Sequence, residues 1–207
     1  MVLLEYKRTF AYVKRMARMK TISDTALLDL LLATVQVHGP SGLSFAKAAA
    51  ASGLAAATLV QRFGNRDGML EAILLRAWDL LDEATETAMA EAGPGPAGAV
   101  DVLLRLTHEQ ASDQSFGDGL LLLREDFSNP VLRARGTRWG TRLAEALGNR
   151  LSPDAAHAVR LGWQMASLWQ GTLLWWGFSR EESPRERVKQ VLLEWCDGQQ
   201  RGDHSTC

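Results

Sequence analysis

Within the short run ATLVQRF, residues 57 to 63, three side chains capable of directed polar contact follow one another closely: Thr58, Gln61 and Arg62. Residues three and four apart share a face of a helix, so this spacing projects them together. The Gln61 amide places a donor beside an acceptor, Arg62 offers a planar fork of donors, and Thr58 offers a hydroxyl with a methyl. Those shapes match nucleic-acid edges: an amide pairs with adenine, a guanidinium with guanine or a phosphate. Just upstream, Ala55, Ala56 and Ala57 offer methyl groups, which suit a thymine methyl. Ser44 and Lys47 before the run and Arg66 after it can meet phosphates. Each polar residue here equally fits a solvated helix face.

The elements that must position these groups are helices. Strand-like alternation is nearly absent and helical periodicity dominates, so the expected fold class is all-α. A first helix is expected over 24–37, with Asp24 as N-cap and Ala26, Leu27, Leu30, Leu31 and Val35 on its apolar side. Gly39 and Pro40 end it. Ser44 caps a short helix to about Ser52, Gly53 breaks it, and another short helix covers about 55–61. Two short helices about a tight glycine turn make a helix-turn-helix, here about 44–63. Phe45, Ala48, Ala49, Leu54, Leu59 and Phe63 can close it against the first helix. Asn65 opens a long helix to about Glu91, and further helices are expected over 97–112, 117–126, 129–149, 153–178 and 184–199. Pro130, Pro153 and Pro184 fall near helix starts, where a missing N–H costs little.

Gly93, Gly95 and Gly98 match G-x-G-x-x-G. That motif binds dinucleotides only between a strand and a helix. Here a helix precedes it and two prolines interrupt it, so it reads as a linker.

Charge is distributed unevenly. The net charge is −1, yet residues 1–66 carry +6 and the remainder −7. A basic front on an acidic body fits a nucleic-acid-contacting head with a separate second domain. Six of the nine cations of residues 1–66 lie within residues 1–20. This stretch either lies along flanking phosphates or in a minor groove, or is incidental to translation beginning at Met16 or Met19.

Other function classes find little support. His38, His108, His157 and His204 are scattered, there is no P-loop or G-x-S-x-G, and Glu181 and Glu182 read as solvated loop residues, so no enzyme, metal site or cofactor is expected. The two cysteines, Cys196 and Cys207, are too few for a disulfide framework. No apolar run is long enough for a membrane span and no signal-peptide core opens the chain, so a cytoplasmic protein is expected.

Gly39, Ser44, Ala48-Ala49, Gly53-Leu54, Thr58-Leu59, Phe63, Arg66-Asp67 and Leu70 fall in the order and spacing of the tetracycline-repressor (TetR) family of transcriptional regulators, which the chain resembles over residues 24–75. Four positions depart from the family pattern. Ala48 replaces an isoleucine, Ala55 a serine or threonine, Val60 a tyrosine whose hydroxyl holds a phosphate, and Arg66 a lysine. The resemblance implies a basic extension (1–22), a three-helix DNA-binding head (23–70), a helical ligand-binding and dimerisation domain (71–200) and a frayed tail (201–207). The DNA contacts carried over are Ser44, Lys47, Ala55, Ala56, Thr58, Gln61, Arg62 and Arg66.

It also implies a homodimer formed through the last two helices. Gly162, Met165, Ala166, Trp169, Thr172 and Trp176 form the stripe expected at such an interface, unless it serves the core. Phe116, Arg124, Trp139, Trp163 and Gln164 are the candidates for an effector pocket. The expected function is a homodimeric repressor released from a palindromic double-stranded operator by a small molecule. The alternative is a TetR-like ligand- or partner-binding dimer that has lost specific DNA reading.

Overall fold

The computed structural model describes residues 22–107 and 113–203. Among these there is no strand, and nine helices follow in order. They are α1 (Asp24–His38), α2 (Phe45–Ser52), α3 (Ala56–Phe63), α4 (Arg66–Glu91), α5 (Gly95–Arg105), α6 (Asp113–Ser128), α7 (Pro130–Leu151), α8 (Ala155–Ser179) and α9 (Pro184–Asp203). The basic residues 1–20 and the last four residues lie outside the described part, as does the side chain of Phe116.

The described residues fall into two compact units, 22–81 with 113–136, and 82–107 with 137–203. Both α4 and α7 contribute residues to each unit.

In the first unit, local chemistry sets the helix ends. Ser23, rather than Asp24, caps α1, its hydroxyl accepting the Ala26 N–H at 3.2 Å. Leu27, Leu31 and Val35 are buried one turn apart along one side, with Leu32 buried beside them. Ser44 caps α2 in the same way, accepting from the Lys47 N–H. Gly53 closes α2 in the left-handed conformation (φ 72°) and returns its N–H to the Ala49 carbonyl, a turn a side chain would strain. α2 packs on both α1 and α3.

In the second unit α8 packs on α9, and α9 on α5. Helices α7 and α8 meet at glycines. A Cβ on Gly162 would lie 1.9 Å from the Ala144 carbonyl oxygen, and one on Gly148 2.1 Å from that of Ala158. The Gly93–Gly98 stretch joins α4 to α5, where a Cβ on Gly98 would overlap the Gly93 carbonyl at 1.7 Å. These glycines make a tight helix-to-helix turn.

Candidate nucleic-acid interface

Helix α3 is short, and its only fully buried side chain is Leu59. Phe63 is half-buried, whereas Ala55, Ala56, Ala57, Thr58, Val60, Gln61 and Arg62 are exposed. One apolar anchor therefore fixes the helix while its remaining surface faces outward, as a helix entering a groove requires. Ala55 is the N-cap of α3 and supplies no side-chain hydrogen bond. Gly64 (φ 74°) ends α3, and the Asn65 side chain accepts the Gly68 N–H at 2.8 Å as α4 begins.

The cations near α3 are not equivalent. Arg66 is held by backbone: Nε donates to the Leu43 carbonyl at 3.1 Å and Nη2 to the Pro40 carbonyl at 2.5 Å. Its third nitrogen meets Asp67 at 3.1 Å. Arg66 thereby fastens the α1–α2 loop to the start of α4. Arg62, on the last turn of α3, pairs through Nη2 with Asp24 Oδ1 at 2.9 Å. Lys47 is exposed on α2, beside the Ser44 hydroxyl that caps the helix. The structure thus brings Lys47, Thr58, Gln61 and Arg62 to the surface of α2 and α3, where the Arg66 side chain is also part-exposed but has its nitrogens engaged within the chain.

The residues expected at an interface between subunits lie inside the chain. Met165, Ala166, Trp169, Thr172 and Trp176 are buried, and Gly162 sits against α7. Trp169 donates its indole N–H to Thr107 Oγ1 at 2.8 Å, and Trp176 donates to the Glu182 carbonyl at 2.7 Å. The surface of α8 is instead its other face: Val159, Trp163, Ser167, Leu174, Trp175 and Phe178, with Gly171 half-exposed between them. Trp175 is 71% exposed and Phe178 77%. An open groove of about 680 Å³ runs between this end of α8 and α9, lined by Leu168, Gly171, Trp175, Phe178, Arg187 and Val191 among others.

The effector candidates whose side chains are described differ in burial. Trp139 is buried, its N–H held by Thr85 Oγ1 at 3.0 Å and its ring 6.5 Å from that of Trp169. Trp163, Gln164 and Arg124 are exposed, and Arg124 lies 3.8 Å from Glu125. A polar position missed from the sequence is Asp126 on α6. It is 3% exposed, Oδ1 accepts the Trp78 indole N–H at 3.0 Å, and Oδ2 has no hydrogen-bond partner among the described residues. Burial raises its pKa to about 6, against the lowering effect of the Trp78 hydrogen bond and with a smaller push from Glu125. Trp78 is closely seated as well, since a Cβ on Gly136 would lie 3.2 Å from its ring. The sequence signal for Asp126 is its place one turn after the buried Leu122.

Among the described residues no group of three or more His, Cys, Asp or Glu side chains could hold a metal ion, and no helix is long and apolar enough to cross a membrane.

No protein-family model and no curated protein matches the sequence. Solved structures do. One is a protein proposed to be a transcriptional regulator from Pseudomonas aeruginosa PAO1, at TM-score 0.65 and 19% identity, covering 86% of this chain and 90% of that one. Another is a TetR transcriptional regulator from Legionella pneumophila, at TM-score 0.61 and 19% identity, covering 85% of this chain and 98% of that one. The described residues are all-helical in their regular structure, and the chain has a TetR-type fold.

Proposed function

We propose that the chain is a cytoplasmic DNA-binding transcriptional regulator, a homodimeric repressor that a small-molecule effector releases from a palindromic operator. The observation that carries this reading is α3, anchored by Leu59 and presenting Thr58, Gln61 and Arg62 outward beside Lys47. Phosphate contacts position a protein on DNA while base contacts specify the site. In this reading Lys47 and the Ser44 hydroxyl position the head, and Thr58 and Gln61 read bases. The described part of the head holds few free cations, so the long-range attraction falls to the basic residues 1–20.

The exposed stripe of α8 fits the dimer. The stripe is spaced about every four residues, apolar at its two ends, with Ser167 and Gly171 between them to allow close approach. Exposed apolar groups clustered as Leu174, Trp175 and Phe178 are at one end of α8 suit an interaction surface. A two-fold dimer in turn matches a palindromic site. The effector acts on α4, which contributes residues to both units, and it shifts the DNA-binding equilibrium only by the free energy with which it prefers one state.

The test is selection from random DNA duplexes with the full chain, followed by sequencing. A palindromic motif whose affinity falls steeply with salt supports the reading. A second reading, a dimeric ligand- or partner-binding protein without specific DNA recognition, is favoured by one set of observations. Val60 carries no hydroxyl, Arg66 is engaged internally, and Arg62 is paired. That reading expects no enriched motif.

A further inference from the structure

We propose that Asp24 is a positioning residue for DNA reading: its carboxylate sits against one amino nitrogen of the Arg62 guanidinium and so biases the remaining donors toward a base. This inference rests on the DNA-reading function proposed above.

Three observations carry it. The Asp24 carboxylate contacts Arg62 Nη2 at 2.9 Å, joining the first turn of α1 to the last turn of α3. Arg62 is the one charged residue of α3, and the next cation along the chain, Arg66, has its guanidinium on the Pro40 and Leu43 carbonyls. The aim of a single fork of donors therefore decides whether α3 has a directional charged contact at all. Finally, Asp24 is not needed as a cap, since the Ser23 hydroxyl accepts the Ala26 N–H.

The chemistry follows from the shape of the group. A guanidinium is planar, with five N–H donors in fixed directions. A carboxylate against one amino nitrogen restricts where the guanidinium lies and leaves its other donors for the paired acceptors of guanine. The pair is solvent-facing, with side-chain exposures of 36% for Arg62 and 77% for Asp24. An exposed pair adds little to stability, so its consequence is orientation. The Asp24 charge also repels phosphates, so it lowers affinity for any duplex while sharpening the choice among duplexes.

The experiment uses the full-length protein with the duplex recovered by selection, its single-base-pair variants and a scrambled duplex. The proteins compared are wild type, Arg62→Ala, Asp24→Asn, Asp24→Glu and the Arg62→Ala/Asp24→Asn double variant, each checked for an unchanged melting transition. Arg62→Ala is expected to flatten the preference at one base pair of each half-site by roughly tenfold. Asp24→Asn should flatten the same base pair by a similar factor while binding the scrambled duplex at least as tightly as wild type. Asp24→Glu should restore the preference, and the double variant should be no worse than Arg62→Ala.

Asp24→Asn changing affinity by one common factor on every duplex, with base preference intact, overturns the proposal. So does an unchanged preference in Arg62→Ala. In both cases the selected motif still stands, and DNA reading stands with it. Failure of the wild-type chain to enrich any motif overturns the DNA-reading function and this inference together.

Discussion

Helices α3 and α8 present opposite problems. Helix α3 has eight residues and one fully buried side chain, and its ends are set by Ala55 and Gly64. Helix α8 has 25 residues, nine of them buried, and it carries large apolar groups on its outer face as well. In the short helix a single anchor and two terminators decide which residues face outward. In the long one, apolar residues surround the axis, and periodicity identifies the helix without choosing its inner face. Exposure on α3 is polar and directional, whereas exposure on α8 is aromatic and adhesive. One surface suits nucleic acid, the other a second apolar surface.

The sharpest way to break this contrast is to truncate one tryptophan on each face of α8. Trp169→Ala removes a buried ring and its hydrogen bond to Thr107, and should cost about 3–5 kcal/mol in denaturant unfolding. Trp175→Ala removes an exposed ring and should change the stability of the isolated chain by no more than about 0.5 kcal/mol. It should, however, weaken self-association, measured by light scattering across a concentration series. Equal stability losses would erase the distinction between the two faces.

The next effect concerns a buried charge. The Asp126 pKa is raised from 3.8 to about 6, so the folded chain binds its proton more tightly than the unfolded one. Its carboxylate therefore destabilises the fold fully above pH 6. That penalty fades as pH falls from 6 to 3.8 and is absent below. Asp126→Asn keeps an acceptor for the Trp78 N–H and removes the charge. At pH 8 it should be more stable than wild type by up to about 3 kcal/mol. Melts at pH 8 and near pH 3.5 check this, and the advantage should vanish in the acid arm.

Two arginines four residues apart allow a comparison within the head. Arg66→Ala should cost about 1–2 kcal/mol in stability by releasing the Pro40 and Leu43 carbonyls, with the salt slope of DNA binding unchanged. Arg62→Ala should leave stability nearly intact while changing DNA binding, so the two variants separate a fastener from a contact. The smallest effect is expected at the uncapped start of α3. Ala55→Ser supplies the missing N-cap hydroxyl and should raise stability by about 0.5–1 kcal/mol, seen as a small rise in Tm.

Much of the head was legible because glycine and serine carry strong local rules. Ser44 and Gly53 place the ends of α2, and Leu59 and Phe63 show which side of α3 turns inward, although the expected end of α3 near 61 falls two residues short of Phe63. The role of Arg66 was not legible. Its partners are backbone carbonyls 26 and 23 residues earlier, and carbonyls leave no mark in a sequence. The cap of α1 fell on Ser23 rather than Asp24, because either side chain suits the position and local preference does not separate them. The stripe of Met165, Trp169, Thr172 and Trp176 was found on the right helix, yet it packs within the chain. The tight approach at Gly162 and the indole bonds to Thr107 and Glu182 turn that face inward. Asp126 escaped notice because an acidic residue beside Arg124 and Glu125 reads as solvated, although it follows Leu122 by one turn.

The central claim is that α3 reads DNA. The most direct measurement repeats the random-duplex selection with Thr58→Ala/Gln61→Ala/Arg62→Ala beside the wild-type chain. All three positions are exposed, so the variant should keep its helical signal and its melting transition. The account predicts that wild type enriches one palindrome and that the triple variant, still folded, enriches none. Enrichment of the same palindrome by both proteins would contradict it.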